Sequence, residues 1–273
     1  TSLTSFPALD MSSGNNFTGS WLGCTALTSF PALDTSSGTS FNYTWNGCTA
    51  LTSFPALDMS KGTNFSSAWQ GTTALTSFPA GAKLGTAATN VNFTNAFYNS
   101  GLTSLPAGLD MSQGNTFDSA FRDCSSLTTI GTGVLLGTAN ATATVNFTLA
   151  FYNCTNLVTL PANLNLSKGD DFQQAFRSCS SLVTFPAGAF DTMGTPLASC
   201  FLNAWLGTYA LSGASVDAIL DSIDTSTQSA PSSGPQITID YNVATGALSA
   251  ATNTAVTSLK SKGWVVIVNG TTL

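Results

Sequence analysis

The chain has 273 residues, only 7% of them charged, and a formal net charge of −6. Its seven basic residues are scattered and build no basic cluster, which argues against a nucleic-acid partner. No apolar run reaches eighteen residues, so no segment reads as a membrane-spanning helix. Histidine is absent and all 13 acidic residues are aspartate, which removes the commonest general acid–base side chains.

The chain starts at Thr1 inside a repeat, with no secretion signal before it. It therefore reads as a mature or visible fragment, with an N-terminal attachment region expected ahead of it. Residues 27–50, LTSFPALDTSSGTSFNYTWNGCTA, nearly reproduce residues 51–74, and residues 3–26 match both. The repeat-opening leucines are Leu3, Leu27, Leu51, Leu75, Leu102, Leu127, Leu157 and Leu182, spaced by 24, 24, 24, 27, 25, 30 and 25 residues. A longer period is also present. The units from Leu75 and Leu127 share VNFT-x-AFYN, and those from Leu102 and Leu157 share AFR-x-CSSL.

Each unit divides into three parts. L-T-S-F-P is rich in strand formers and ends on Pro, so it predicts a short strand stacked in parallel on its neighbours. D-x-S-x-G predicts a turn, with Asp accepting from nearby backbone N–H groups. In F-x-x-[AST]-[WF]-x-x-C, residues such as Phe17, Trp21 and Cys24 recur at i, i+4 and i+7, which predicts a short helix. Stacking would bury an aromatic column of Trp21, Trp45, Trp69, Phe97, Phe121, Phe151, Phe176 and Trp205. Beyond Leu211 the pattern changes. Helices are predicted around 216–220 and over 250–262, and strands over 237–241 and 264–268. Domain organisation therefore reads as 1–210, about eight repeat units of 24–30 residues, and 211–273, a C-terminal α/β cap of the kind a stack needs to cover its last rung.

The C-x-x-L-x-x-F-P step and the phrase LTSFPALDTSSGTSF resemble the BspA-like leucine-rich repeats of bacterial surface proteins and phage tail fibres. The closing SLKSKGWVVIVNG is similar to the segment that ends many such proteins. The resemblance implies an α/β repeat solenoid, with short parallel strands on one side and short helices on the other. It also implies an extracellular place on a virion or cell surface, and adhesion or receptor binding. As a phage fibre the chain would be a possible homo-oligomer, a trimer.

Several constellations compete with plainer structural readings. Cys24, Cys48, Cys124, Cys154 and Cys179 share one slot of the unit that Thr72 and Thr208 also fill, so they read as packed free thiols rather than disulfides. No C-x-x-C pair suggests zinc. Asp10, Asp34, Asp58 and Asp110 recur in another slot. They are weak calcium candidates, and turn capping is the stronger reading because Asn165 takes the same slot. The close carboxylates Asp118/Asp123 and Asp170/Asp171 are candidates for glycoside hydrolysis, but with neither His nor Glu in support the chain reads as no enzyme and needs no cofactor. A file of hydroxyls follows the opening leucines, and the binding residues expected on it are Thr28, Ser29, Thr52, Ser53, Thr76, Ser77, Thr103 and Ser104. It suits a host glycan or receptor, or less well ice, since Val158 and Val183 interrupt it. Plain strand propensity explains it as well. The insertions at 81–91 and 131–145 are a second expected binding edge.

The function expected is thus non-enzymatic binding of a host cell-surface glycan or receptor by a tail fibre or adhesin. A structural fibre or surface-layer spacer without its own ligand is the alternative.

Overall fold

The computed structural model describes residues 3–140, 144–226 and 228–273. The fold is α/β, with many short parallel strands and two α-helices, and among the described residues no sheet closes on itself. Successive units lie side by side in chain order, joined by up to three parallel ribbons. The first ribbon runs through the L-T-S-F step: Ser29 bridges Ser53, Ser77 bridges Ser104, Ser104–Leu105 pairs with Thr129–Ile130, and Thr159 and Thr184 follow. The second joins Asp58–Met59, Lys83–Leu84, Asp110–Met111 and Leu135–Leu136. The third runs from Asn16 through Ser40, Asn64 and Asn92 to Gly114–Thr116, Val145–Asn146 and Gly169–Asp171. The first ribbon is the strand predicted at L-T-S-F-P; the other two were not predicted.

The predicted short helices of the units are absent among the described residues; both α-helices lie beyond residue 211. The segment from Phe17 to Cys24 is a chain of turns whose alternate N–H groups point two ways. Those of Phe17, Gly19, Trp21 and Gly23 donate to Ser40, Asn42, Thr44 and Asn46 of the next unit. Those of Ser20, Leu22 and Cys24 donate three residues back within the unit. The same pattern recurs in the following units. Every fourth residue is left-handed: Gly23, Gly47, Gly71, Asn99, Asp123, Asn153, Ser178 and Gly207 form one such series. Such a coil places Phe17, Trp21 and Cys24 on its buried side, so the sequence period imitates a helix. The physical reason for its choice is pitch. The aromatic side chains of neighbouring units stack with centroids 5.3 Å apart at Trp45–Trp69 and 5.0 Å apart at Trp69–Phe97. That spacing suits hydrogen-bonded neighbours but is too small for side-by-side helices, which need 8–10 Å.

The interior is a set of columns. The predicted aromatic column from Trp21 to Trp205 is stacked throughout. A second column, Phe17, Phe41, Phe65, Phe93, Phe117, Phe147, Phe172 and Phe201, stacks at 5.2–5.4 Å. The repeat-opening leucines from Leu27 to Leu182 are fully buried. The glycine of D-x-S-x-G answers to packing: a Cβ on Gly38 would lie 2.4 Å from the Phe41 ring.

After the last unit come α1 (Gly213–Thr225) and α2 (Ala250–Ser261), packed on each other, and a three-stranded sheet of Gln236–Ile239, Val265–Val268 and Thr271–Thr272. Ser212 and Ser249 are the N-caps, each accepting a backbone N–H three residues on. This part takes up the open edge of the last unit. Ser215 of α1 accepts from the Phe185 N–H at 3.0 Å and donates to the Val183 carbonyl at 3.2 Å. Ser222, two turns on, accepts from the Phe190 N–H at 2.8 Å. Trp205 bridges Ile239, and Trp264 packs on Phe201.

Candidate binding surface

The expected strand-face residues come together. Thr28, Ser29, Thr52, Ser53, Thr76, Ser77 and Thr103 are exposed or partly so, and Ser104 is half-buried. Their hydroxyls differ in availability. Thr52 donates to the Thr28 carbonyl at 3.0 Å, Thr103 to the Thr76 carbonyl at 3.0 Å, and Thr128 to the Thr103 carbonyl at 2.9 Å. Each of these carbonyls also accepts the backbone N–H of the same threonine. The threonine file is therefore a rib that reinforces the ladder. Val158 and Val183 keep the ladder bond without the hydroxyl. The serine hydroxyls of the face, and the Thr76 hydroxyl, which is not tied to the Thr52 carbonyl, remain the groups able to donate outward.

Other expected sites resolve into local roles. Asp10, Asp34, Asp58 and Asp110 each accept the backbone N–H two residues on, at 2.9–3.1 Å, and Asn165 does the same for Ser167. These are turn caps. Asp58 also pairs with Lys83 at 2.8 Å, and bonds from Lys83 and Ser60 bring its pKa down to about 2. Among the described residues no group of three or more candidate ligands is placed to hold a metal ion. All six cysteines are free and buried. Thiols of the column donate to carbonyls of the preceding unit, Cys48 to Trp21 at 3.2 Å and Cys154 to Phe121 at 3.1 Å. Burial pushes the thiols up, Cys48 and Cys179 to about 12 and Cys124 to about 11, far from the reactive thiolate range. Asp170 and Asp171 are raised by desolvation, and Asp171 caps the Gln173 N–H. Asp118 accepts from the Ser119 hydroxyl at 2.8 Å, and Asp123 from the Asn153 amide at 2.7 Å.

The insertions do not project as free loops where they are described. Lys83–Leu84 and Leu135–Leu136 are strands of the second ribbon. Residues 141–143 of the second insertion lie outside the described residues.

A further surface was not expected. On the turn side one residue per unit forms a file: Leu22, Asn46, Gln70, Tyr98, Arg122, Tyr152, Arg177 and Leu206. From Asn46 onward, the carbonyl of each accepts a backbone N–H from the unit before, beginning with that of Gly23. The first units carry amides here, with Asn46 donating to Gln70 at 3.1 Å. The later units alternate Tyr and Arg. The Arg122 guanidinium lies 5.0 Å from the Tyr152 ring centroid and 5.7 Å from that of Tyr98, a cation between two π faces. Its Nε is 3.4 Å from Asp123 Oδ2 but makes no hydrogen bond. The file ends at a groove of about 400 Å³ lined by Thr155, Arg177, Ser178, Ser180, Leu206 and Tyr209, where Tyr209 is 66% exposed. On the far side of Tyr209 a second groove meets Tyr241, Asn242 and Val243. Both arginines of the chain and four of its five tyrosines thus gather on one strip. The alternation AFYN/AFR had this signal in it, but only as a sign of duplication.

No family model, no curated protein and no solved structure matches this chain.

Proposed function

We propose that residues 1–210 form a leucine-rich-repeat solenoid of the BspA-like kind, with 211–273 as its cap. In this reading each rung carries turns where relatives of that kind carry helices. The chain is then a non-enzymatic, extracellular binding module of a phage tail fibre or surface adhesin, and its partner is a host cell-surface glycan or receptor. One observation carries the binding part. A chain with 7% charged residues collects its arginines and most of its tyrosines on a single half-buried strip at the surface, with Tyr209 largely open at its end. Interior packing does not require these types there, since Asn46 and Gln70 hold the same file in earlier units. Arg and Tyr are the residues that concentrate at recognition surfaces. Ser29, Ser53 and Ser77 offer a second, weaker surface on the strand face.

The spacer reading draws on the near-identity of residues 3–26, 27–50 and 51–74, since a spacer needs length and no pocket. Labelled protein, presented in multivalent form, is titrated onto candidate host cells with and without prior removal of surface polysaccharide. Saturable binding that disappears with the polysaccharide is the expected result. Absence of binding on every cell type would leave the spacer reading in its place.

A further inference from the structure

The strip ends in a groove whose parts match one ligand class. Its lining includes Tyr209, an aromatic ring largely open to solvent, and the apolar Leu206. Arg177 lines it as well. Its guanidinium donates one bond, from Nη1 to the Gln174 amide oxygen at 3.2 Å, and no carboxylate lies within salt-bridge distance among the described residues. Arg122, two units earlier, has Asp123 beside it, so the two arginines are not equivalent. Thr155, Ser178 and Ser180 complete the lining, with the Ser180 hydroxyl donating to the Thr155 carbonyl at 3.4 Å. Asp240 is buried behind the groove, where it accepts the N–H of Gly207, a lining residue, at 2.8 Å.

We propose that this groove is a subsite for a monoanionic sugar residue of the uronic type. The ring takes the apolar C–H face of the pyranose, and a planar fork of donors suits a carboxylate held through two bonds. The hydroxyl groups take the sugar alcohols. A single arginine with a buried carboxylate behind it matches one negative charge better than a dianionic phosphate. A groove of about 400 Å³ with one largely exposed ring has room for a single sugar rather than a peptide side-chain array. The subsite deepens the glycan-binding reading above and rests on it.

Calorimetric titration with short oligomers of galacturonate or glucuronate, with their neutral counterparts and with a sulfated oligosaccharide as comparators, tests the proposal. The uronate is expected to bind, the neutral oligomer to bind at least ~10-fold more weakly, and Arg177→Gln or Tyr209→Ala to lower uronate affinity by ~10-fold or more, of the order of a lost interface anchor. Arg177→Lys keeps the charge and loses the fork, so it is expected to fall between. Thermal unfolding of each variant checks that the stack is intact. Equal binding of acidic and neutral oligomers, preference for the sulfated one, or uronate binding unchanged in Arg177→Gln would each overturn the subsite. Cells that bind the wild type and both variants alike, with no competition by uronate, would overturn the subsite and leave the glycan-binding reading standing. Failure of the wild type on all cells would remove that reading itself.

Discussion

The two long faces of the stack use the same pitch for opposite ends. On the strand face most threonines that look available for a ligand are tied to the carbonyl of the unit before, as Thr52 is to Thr28 and Thr103 to Thr76, with Thr76 itself the exception. On the turn face the residues of the file give the ladder only their backbone carbonyls, which accept N–H groups such as that of Asp123 at Tyr152 and that of Asn153 at Arg177, so their side chains are released from that duty. The turn file therefore varies from Asn to Tyr to Arg while the strand file stays Thr or Val. A regular array on the surface of a repeat protein marks reinforcement here, and its interruptions mark the place to look for recognition.

The comparison presupposes columns that hold both faces at one spacing, and breaking a column gives the largest effect. Trp45→Ala removes a fully buried ring from between Trp21 and Trp69 and is expected to cost ~3–5 kcal/mol in denaturant unfolding. Trp45→Phe is expected to change stability by ~1 kcal/mol or less, because the Trp45 indole N–H is buried without a partner and the smaller ring also removes an unsatisfied donor. Phe97 fills this slot in a later unit. A loss of several kcal/mol in Trp45→Phe would contradict the stacked column.

The thiol column under the turn face sets the next effect. Cys48 is held near 12 when folded, against an ordinary value of 9.0. The unfolded chain therefore loses its thiol protons first as pH rises. Stability from this group is complete below pH 9 and declines between 9 and 12. The denaturation midpoint is expected to fall over that range, and that of Cys48→Thr, which copies the residue at Thr72, to fall less steeply. At pH 8 a thiol reagent should find no reactive cysteine in the native protein and six after unfolding.

Backbone handedness on the turn face gives an effect of about 1–2 kcal/mol. Gly47 sits at φ 71° and Leu149 at φ 55°. Gly47→Ala is expected to lower the unfolding midpoint and Leu149→Gly to raise it. Opposite signs would mean that the segment is helical after all.

The smallest effect belongs to the strand face. Thr103→Val removes one hydroxyl bond to a carbonyl that keeps its N–H donor, so the expected cost is below ~1 kcal/mol, in line with Val158 and Val183 at the same step.

Much of this was legible in the residues. The L-T-S-F strand, the Trp/Phe column, the shared slot of Cys24, Cys48 and Thr72, the core of α1, and the α2 and Val265–Val268 elements follow from the repeat and the apolar pattern. The turn coil was not, because Phe17, Trp21 and Cys24 fall on one face of a helix and of a left-hand-punctuated coil alike; only the pitch between units separates them. The clue lay in Gly23, Gly47 and Gly71, at a point where a helix would not want a glycine. The Tyr–Arg file was hidden for another reason: its members differ from unit to unit, so a search for what repeats passes over it.

The most direct test sets the two faces against each other in one binding assay. Thr52→Val/Thr103→Val/Thr128→Val and Arg177→Gln/Tyr209→Ala are compared with the wild type on glycan-bearing host cells, each variant first checked to be folded, with a single cooperative unfolding transition above the assay temperature. The strand-face triple variant is expected to bind as the wild type does, and the turn-face pair to lose most of its binding. Loss in the triple variant with full binding by the turn-face pair would contradict the account and return recognition to the strand face.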